Sequence, residues 1–308
     1  MVIFAEKLVA SLRERGYQAR IVSTLHLNHM KKEIESHRSH GLFDSQFFQD
    51  RLSRFDFQIS RNLPEAKSLI VVAVPRPQTQ AIFDWNGKLH PLLIPPTYTA
   101  YEEIQNQVKA LLATMLNEKG YKATGTGLPL KLLAAHSGLS KYGRNNISYV
   151  SELGSYLQLV AVFSDMPCEV DSWQEITMMK SCEKCELCRR ECPTGAIPSD
   201  RFLLRAERCI VYHNEKKSDI PFPEWMDVSW HNCVVGCMHC QRVCPENKEF
   251  IKWIGEKEEF SEEETALLLQ GLSKKRLPAL TLRKLERLSL VDYYNCLPRN
   301  LRVFFDKS

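Results

Sequence analysis

The chain has 308 residues, 44% hydrophobic and 25% charged, with a formal net charge of +4. This is the composition of a globular protein with one large core or two to three smaller ones, and it excludes a fibrous or low-complexity chain. No apolar run approaches the ~20 residues that cross a bilayer. The opening MVIFAEKLVASLRERGY does not read as a secretory or twin-arginine signal, so the expectation is a cytoplasmic protein with no membrane contact.

Residues 1–167 read as an α/β domain. Phe4, Leu8 and Leu12 recur at helical spacing before Gly16, and 17–23 alternates as a strand. Residues 26–60 are polar, His-rich and of mixed helical character, and LIVVAV (69–74), closed by Pro75 and Pro77, is a buried strand. The next 25 residues carry Pro91, Pro95 and Pro96 and are expected to form a long loop. Ile104, Val108, Leu111, Leu112 and Met115 mark a helix ended by Gly120, and a second helix runs from about 128 to 137 with Pro129 in its first turn. Residues 146–150 and 156–163, separated by SELGS, are expected to pair as a hairpin. From 168 to 250 the texture changes to cysteine, proline and short helical pieces. Residues 251–308 are expected to be helical, with a capping box at Ser261 and Glu264. From Lys274 to Ser308 nine Lys or Arg face three Asp or Glu, a solvated helix face or a footprint for phosphate.

Ten of the eleven cysteines lie between Cys168 and Cys244. In a reducing compartment such density points to metal rather than to disulfides. Cys182, Cys185, Cys188 and Cys192-Pro193 have the two, two and three residue spacing of the bacterial ferredoxin run, in which three thiolates wrap one iron–sulfur cube and the fourth reaches a neighbouring cube. Cys237, Cys240 and Cys244-Pro245 repeat its later half, and Cys209 supplies an early ligand from farther away. The crossover rule then assigns one [4Fe–4S] cluster to Cys182, Cys185, Cys188 and Cys244, and the other to Cys192, Cys209, Cys237 and Cys240. Cys233 is an alternative to Cys209; Cys168 and Cys296 are left over, and His239 is expected beside the metal rather than on it.

The segment LPLKLLAAHSGLSKYGRNNISY, followed by ELGSYLQLVAVFSDMP, CEKCELCRRECPTGAI, ERC and GCMHCQRVCPEN, resembles epoxyqueuosine reductase, and also the related reductive dehalogenases. The resemblance covers roughly residues 65–250. It implies a nitroreductase-like cobalamin-binding domain, then a bacterial ferredoxin-like double-cluster domain and a short helical C-terminal segment, divided here as 1–167, 168–250 and 251–308. It also implies a corrin held base-off beside one cluster, at the loop Gly138, Leu139, Ser140, Lys141, Tyr142, Gly143, Arg144, Asn145 and Asn146, where glycines let the backbone approach the ring and Arg144, Asn145 and Asn146 bond its amide arms. The family's acidic proton donor falls at Thr124 or Gly125, neither of which is an acid, and many members continue into helical repeats that hold tRNA whereas this sequence stops at Ser308. Both differences create the expectation of a divergent substrate, with Tyr98 and Tyr142 as candidate replacement acids.

The resulting expectation is an oxidoreductase in which two [4Fe–4S] clusters, fed by a low-potential donor such as ferredoxin or flavodoxin, reduce a bound cobalamin that acts on a small organic substrate or modified nucleoside, with tRNA as a conceivable partner. The alternatives are an electron-transfer protein that reduces a partner's corrinoid or flavin, and a flavin enzyme whose phosphate sits at GTGL (125–128). His26 and His29 are candidate corrin ligands, though histidines at such spacing are more often structural.

Overall fold

The computed structural model describes residues 2–305. In chain order, α1 (Val2–Glu14) leads into β1 (Gln18–Ser23) and α2 (Leu27–Ser39). The single turn α3 (Ser45–Phe47) is capped by the Asp44 carboxylate, and β2 (Ser68–Pro75) follows. Next come β3 (Gln78–Trp85), β4 (Lys88–Ile94), α4 (Tyr101–Asn117), β5 (Ala123–Gly125) and α5 (Leu130–His136). The short β6 (Lys141–Tyr142) and β7 (Ser148–Tyr149) precede β8 (Leu157–Ser164). The cysteine-rich stretch holds the short helices α6 (Leu187–Glu191), α7 (Ile210–Asn214) and α8 (His239–Arg242). Then β9 (Ile254–Phe260), α9 (Glu262–Gln270), α10 (Ala279–Arg287) and α11 (Leu297–Phe305) close the described chain. No helix among these residues is long and apolar enough to cross a membrane.

The chain divides into two interleaved compact units, Met1–Pro75 with Glu102–Glu186 and Ile197–Glu207, and Arg76–Tyr101 with Leu187–Ala196 and Arg208–Ser308. This differs from three consecutive domains: the expected border at 167 falls inside the first unit, and the cut at 186/187 passes between Cys185 and Cys188.

In the first unit an antiparallel sheet of order β1-β2-β8-β5 forms the centre. All eight residues of β8 and all but the last of β2 are buried, which is why both read as unbroken apolar runs rather than alternating ones. Leu69, Val71, Ala73, Leu157, Leu159 and Ala161 share one cluster with Leu133 and Ala134 of α5, and alternation turns Ile70, Val72, Val160 and Val162 to the opposite face. Each such side chain taken from water contributes ~1.5–3 kcal/mol. The expected hairpin between 146–150 and 156–163 does not form. Val150 closes a tight turn onto Gly154, β7 pairs back with β6, and β8 pairs with β2 and β5 instead.

The second unit has a three-stranded sheet of order β4-β3-β9. Two expectations are corrected here. Residues 78–94 form a hairpin rather than a loop, turned at Asn86-Gly87, both left-handed, the backbone a type I′ turn needs. Residues 254–260 form a strand that pairs in parallel with β3, although IGEKEEF looks helical, because charged residues suit an exposed sheet edge. Phe83, Ile94 and Phe260 pack with Leu268, Leu285, Leu297 and Leu301 of the three C-terminal helices. The capping box at Ser261 and Glu264 is present as expected.

Candidate iron–sulfur and cofactor site

All eleven cysteines are free thiols. Within the second unit, α6 and α8 each lead into a Cys-Pro pair, Cys192-Pro193 and Cys244-Pro245. Cys192, Cys209 and Cys233 all lie close enough to Cys237 to raise its pKa, after burial, which is the largest cause. Three of the four sulfurs assigned to the second cluster are therefore neighbours. Crowded, desolvated thiols resist ionisation alone and are relieved when a cation takes their protons' place. Cys233 is fully buried, its backbone bridged to Leu93, and burial pushes its thiol up to about 12. Among the described residues no group of three or more His, Cys, Asp or Glu is placed to hold a metal ion.

A hydrogen-bond chain supports the second cysteine loop. Asn214 clamps Gly236 from both sides, its Nδ2 donating to the Gly236 carbonyl at 2.6 Å and its Oδ1 accepting from the Gly236 amide at 3.1 Å. The carbonyl of Asn214 accepts in turn from Asn300 and Arg299 of α11. Arg299 also donates to the carbonyls of His213, Lys216, Lys217 and Ile220. His239 has Nε2 on the Trp230 carbonyl at 2.9 Å and Nδ1 facing Glu191. The basic C-terminal charges are largely used internally: Lys284 pairs with Glu264, Arg287 with Glu258, and Lys274 and Arg302 donate to backbone carbonyls.

In the first unit the loop 138–146 makes contacts to neighbouring backbone. Arg144 donates to the carbonyls of Cys185 (3.0 Å) and Cys182 (2.6 Å) and pairs with Glu186, so it braces the first cysteine run. Asn145 donates to the Tyr149 hydroxyl and accepts from the Ile147 amide. Asn146, itself left-handed, donates to the Phe202 carbonyl and accepts from the Leu204 amide. These three side chains each make hydrogen bonds within the protein. Gly143 is also required by its own neighbours, since a Cβ there would stand 2.6 Å from Asn145 Oδ1 and the Tyr149 ring. What the region leaves open is two buried hydroxyls without partners, Ser140 and Ser148. Two unsatisfied buried hydroxyls on one small hairpin fit a ligand rich in amide groups.

The other sequence candidates are placed as follows. Gly138 ends α5, with the Gln174 amide 3.2 Å from where a Cβ would lie; Leu139 is core and Lys141 is exposed. The Tyr98 hydroxyl donates to Glu215, and burial followed by that carboxylate's charge raises its pKa well above the usual phenol value. Tyr142 is buried edge-on to Phe202, its pKa raised by burial and then by Glu33. A phenol with a raised pKa is a poorer acid, which counts against both as donors. His26 stacks on Trp173 and pairs with Asp171, and His29 accepts from the Trp173 indole.

Sequence reading missed a cavity of about 310 Å3 in the first unit, between residues 56–62 on one side and Gly125, Thr126 and Gly127 on the other, with Phe163 at its base. Its signal was weak, a polar stretch beside the short glycine pair of GTGL.

Residues 181–247 match the 4Fe-4S double cluster binding domain. This segment is similar to double iron–sulfur cluster domains. Beyond it the chain is similar to epoxyqueuosine reductases. It is 26% identical over 261 residues to that of Atelocyanobacterium thalassa, 82% of each chain. Other curated epoxyqueuosine reductases are matched over less of their length, 39% for Aliivibrio fischeri and 51% for Prochlorococcus marinus. The structure of epoxyqueuosine reductase from Bacillus subtilis aligns with a TM-score of 0.70 at 21% identity, over 97% of this chain and 80% of that one. A structure of epoxyqueuosine reductase with an epoxyqueuosine-modified tRNA-Tyr stem loop aligns with a TM-score of 0.68 at 20% identity and the same coverage. The mixed α/β fold is the one these structures share.

Proposed function

We propose that the chain is a cobalamin-dependent iron–sulfur reductase acting on an epoxide-bearing modified nucleoside of tRNA, of which epoxyqueuosine is the type. The observation that carries this is the double-cluster segment at 181–247 within a chain similar, over most of its length, to an epoxyqueuosine reductase. One cluster is assigned to Cys182, Cys185, Cys188 and Cys244, and the other to Cys192, Cys209, Cys237 and Cys240. Cys209 rather than Cys233 is taken as ligand because the backbone and side chain of Cys233 are built into the core. Arg144 and Asn214 hold the two cysteine loops in shape before metal arrives. Ser140 and Ser148 are the groups assigned to the cobalamin, which when bound supplies a low-potential metal that accepts single electrons and passes them to an organic substrate. A reduced ferredoxin or flavodoxin is the proposed source of those electrons.

The polar cavity supports an enzyme over a plain electron carrier, since a carrier needs no pocket for a small molecule. The test is genetic. Producing the chain in cells that lack their own epoxyqueuosine reductase should convert epoxyqueuosine to queuosine in bulk tRNA, read by nucleoside mass spectrometry. Persistence of the epoxide while the protein is made with its clusters filled would reject this substrate.

A further inference from the structure

Removing an epoxide oxygen to leave a carbon–carbon double bond takes two electrons and two protons and releases one water. Electrons can arrive through metal centres, but protons must be handed over by an acid beside the oxygen. The cavity of the first unit contains one carboxyl group, that of Asp56. The Asp56 amide donates to the Gly127 carbonyl at 3.2 Å, and its Cβ lies 3.4 Å from where a Gly127 side chain would begin, so the two walls close on each other at this residue. Its Oδ1 accepts the Gln58 amide at 2.9 Å, which fixes the carboxyl and leaves Oδ2 for a ligand. Across from it Gly125 and Gly127 expose bare backbone, and the Thr126 hydroxyl accepts from the Leu128 amide, leaving its own proton to donate. Arg61 stands at the exposed rim, with no ion-pair partner among the described residues. One acid, hydroxyl and amide groups, an aromatic base and an unpaired guanidinium suit a hydroxylated nucleoside attached to phosphate.

We propose that this cavity receives the epoxide-bearing ring of the nucleoside, with Asp56 as the proton-donating catalytic residue and Arg61 on a flanking phosphate. This deepens the function proposed above and rests on it. As the carbon–oxygen bonds break, two electrons from the low-potential donor pass into the ring carbons, Asp56 protonates the departing oxygen, water supplies the second proton through the open mouth, and Asp56 is reprotonated from solvent.

The experiment compares reconstituted, cofactor-loaded protein with its D56N, R61A and D56N/G125D forms in single turnover on an epoxyqueuosine-bearing tRNA stem loop, across pH. Asn keeps the acceptor for Gln58, and cluster absorbance checks folding. D56N should lower kcat by about 10²–10⁴-fold with little change in stem-loop affinity. R61A should weaken binding, more so at low salt, with kcat retained. Gly125 has room for a carboxylate, because a Cβ there meets only the flexible end of Lys109 at 3.5 Å, so D56N/G125D should recover at least a tenth of the lost rate. An active parent with an equally active D56N, or a double variant no better than D56N, would overturn the Asp56 assignment alone. An inactive parent with clusters and cobalamin verified would overturn the function and this assignment together.

Discussion

Replacing Arg144 with alanine separates two roles for this loop, binding a corrin arm or bracing the first cysteine run. The guanidinium makes two short hydrogen bonds, at 3.0 and 2.6 Å, to the carbonyls of Cys185 and Cys182, a long, exposed one of 3.5 Å to the Glu183 carbonyl, and a 3.7 Å ion pair to Glu186. Hydrogen bonds involving a charged group contribute ~1.5–3 kcal/mol each, while a partly exposed ion pair adds ~0.2–1 kcal/mol. The Arg144 side chain is only 20% exposed, so little of this is lost to solvent screening, but ordering a long side chain offsets part of it. A net of about 3 kcal/mol corresponds to ~100-fold in the population of the opened cysteine loop. R144A should therefore bleach one of the two clusters ~100-fold faster under a chelator, followed by anaerobic absorbance, and R144K, which lacks the planar fork, should lie between. Bleaching within about threefold of the parent would refute the bracing role.

C237A is expected to bind about half of the roughly eight irons of two cubes, whereas C168A and C233A should keep all of them; iron loss in C233A would exchange Cys233 for Cys209 in the ligand set. G236A should also lose iron, because Gly236 is left-handed, at ~1–2 kcal/mol for a residue with a Cβ, and the added atom would stand 2.6 Å from the Tyr98 ring; full iron in G236A would contradict the assigned loop geometry. For His136, burial pushes its pKa down, but hydrogen bonds to Glu33 and the Gln174 carbonyl and the charges of Glu33 and Glu175 outweigh it, and the net shift is upward. Its stabilisation is then full below the unfolded value near 6.5 and is lost as pH rises through the raised folded value. Melting curves should show the parent losing more stability than E33Q across that window, and parallel curves would contradict the pairing. Trp173, stacked on His136 at 4.3 Å, gives a fluorescence readout of the same titration.

Much of this was legible in the sequence because local chemistry and fold agreed. The cysteine spacing is a covalent requirement of the cube, LIVVAV is buried on both faces, and the capping box at Ser261 depends only on residues three apart. What was not legible depended on distant partners. The β3–β4 hairpin was hidden by prolines although Asn86-Gly87 announced its turn. Strand β9 is made a strand by β3, some 175 residues upstream in the register, and its own lysines and glutamates favour helix. The contacts of Arg144, Asn145 and Asn146 were not legible because polar side chains in a glycine-containing loop can serve several purposes, and their partners at Cys182, Tyr149 and Phe202 are set by the fold. Asp56 could not be matched to Gly127 without the fold.

The most direct measurement is a single turnover with anaerobically reconstituted protein, reduced beforehand, on a tRNA stem loop containing epoxyqueuosine, with and without added cobalamin. The account predicts a base-off corrin spectrum on mixing, loss of one oxygen from the nucleoside, and no reaction when cobalamin or iron is omitted. Conversion without cobalamin, or none with both metals in place, would contradict it.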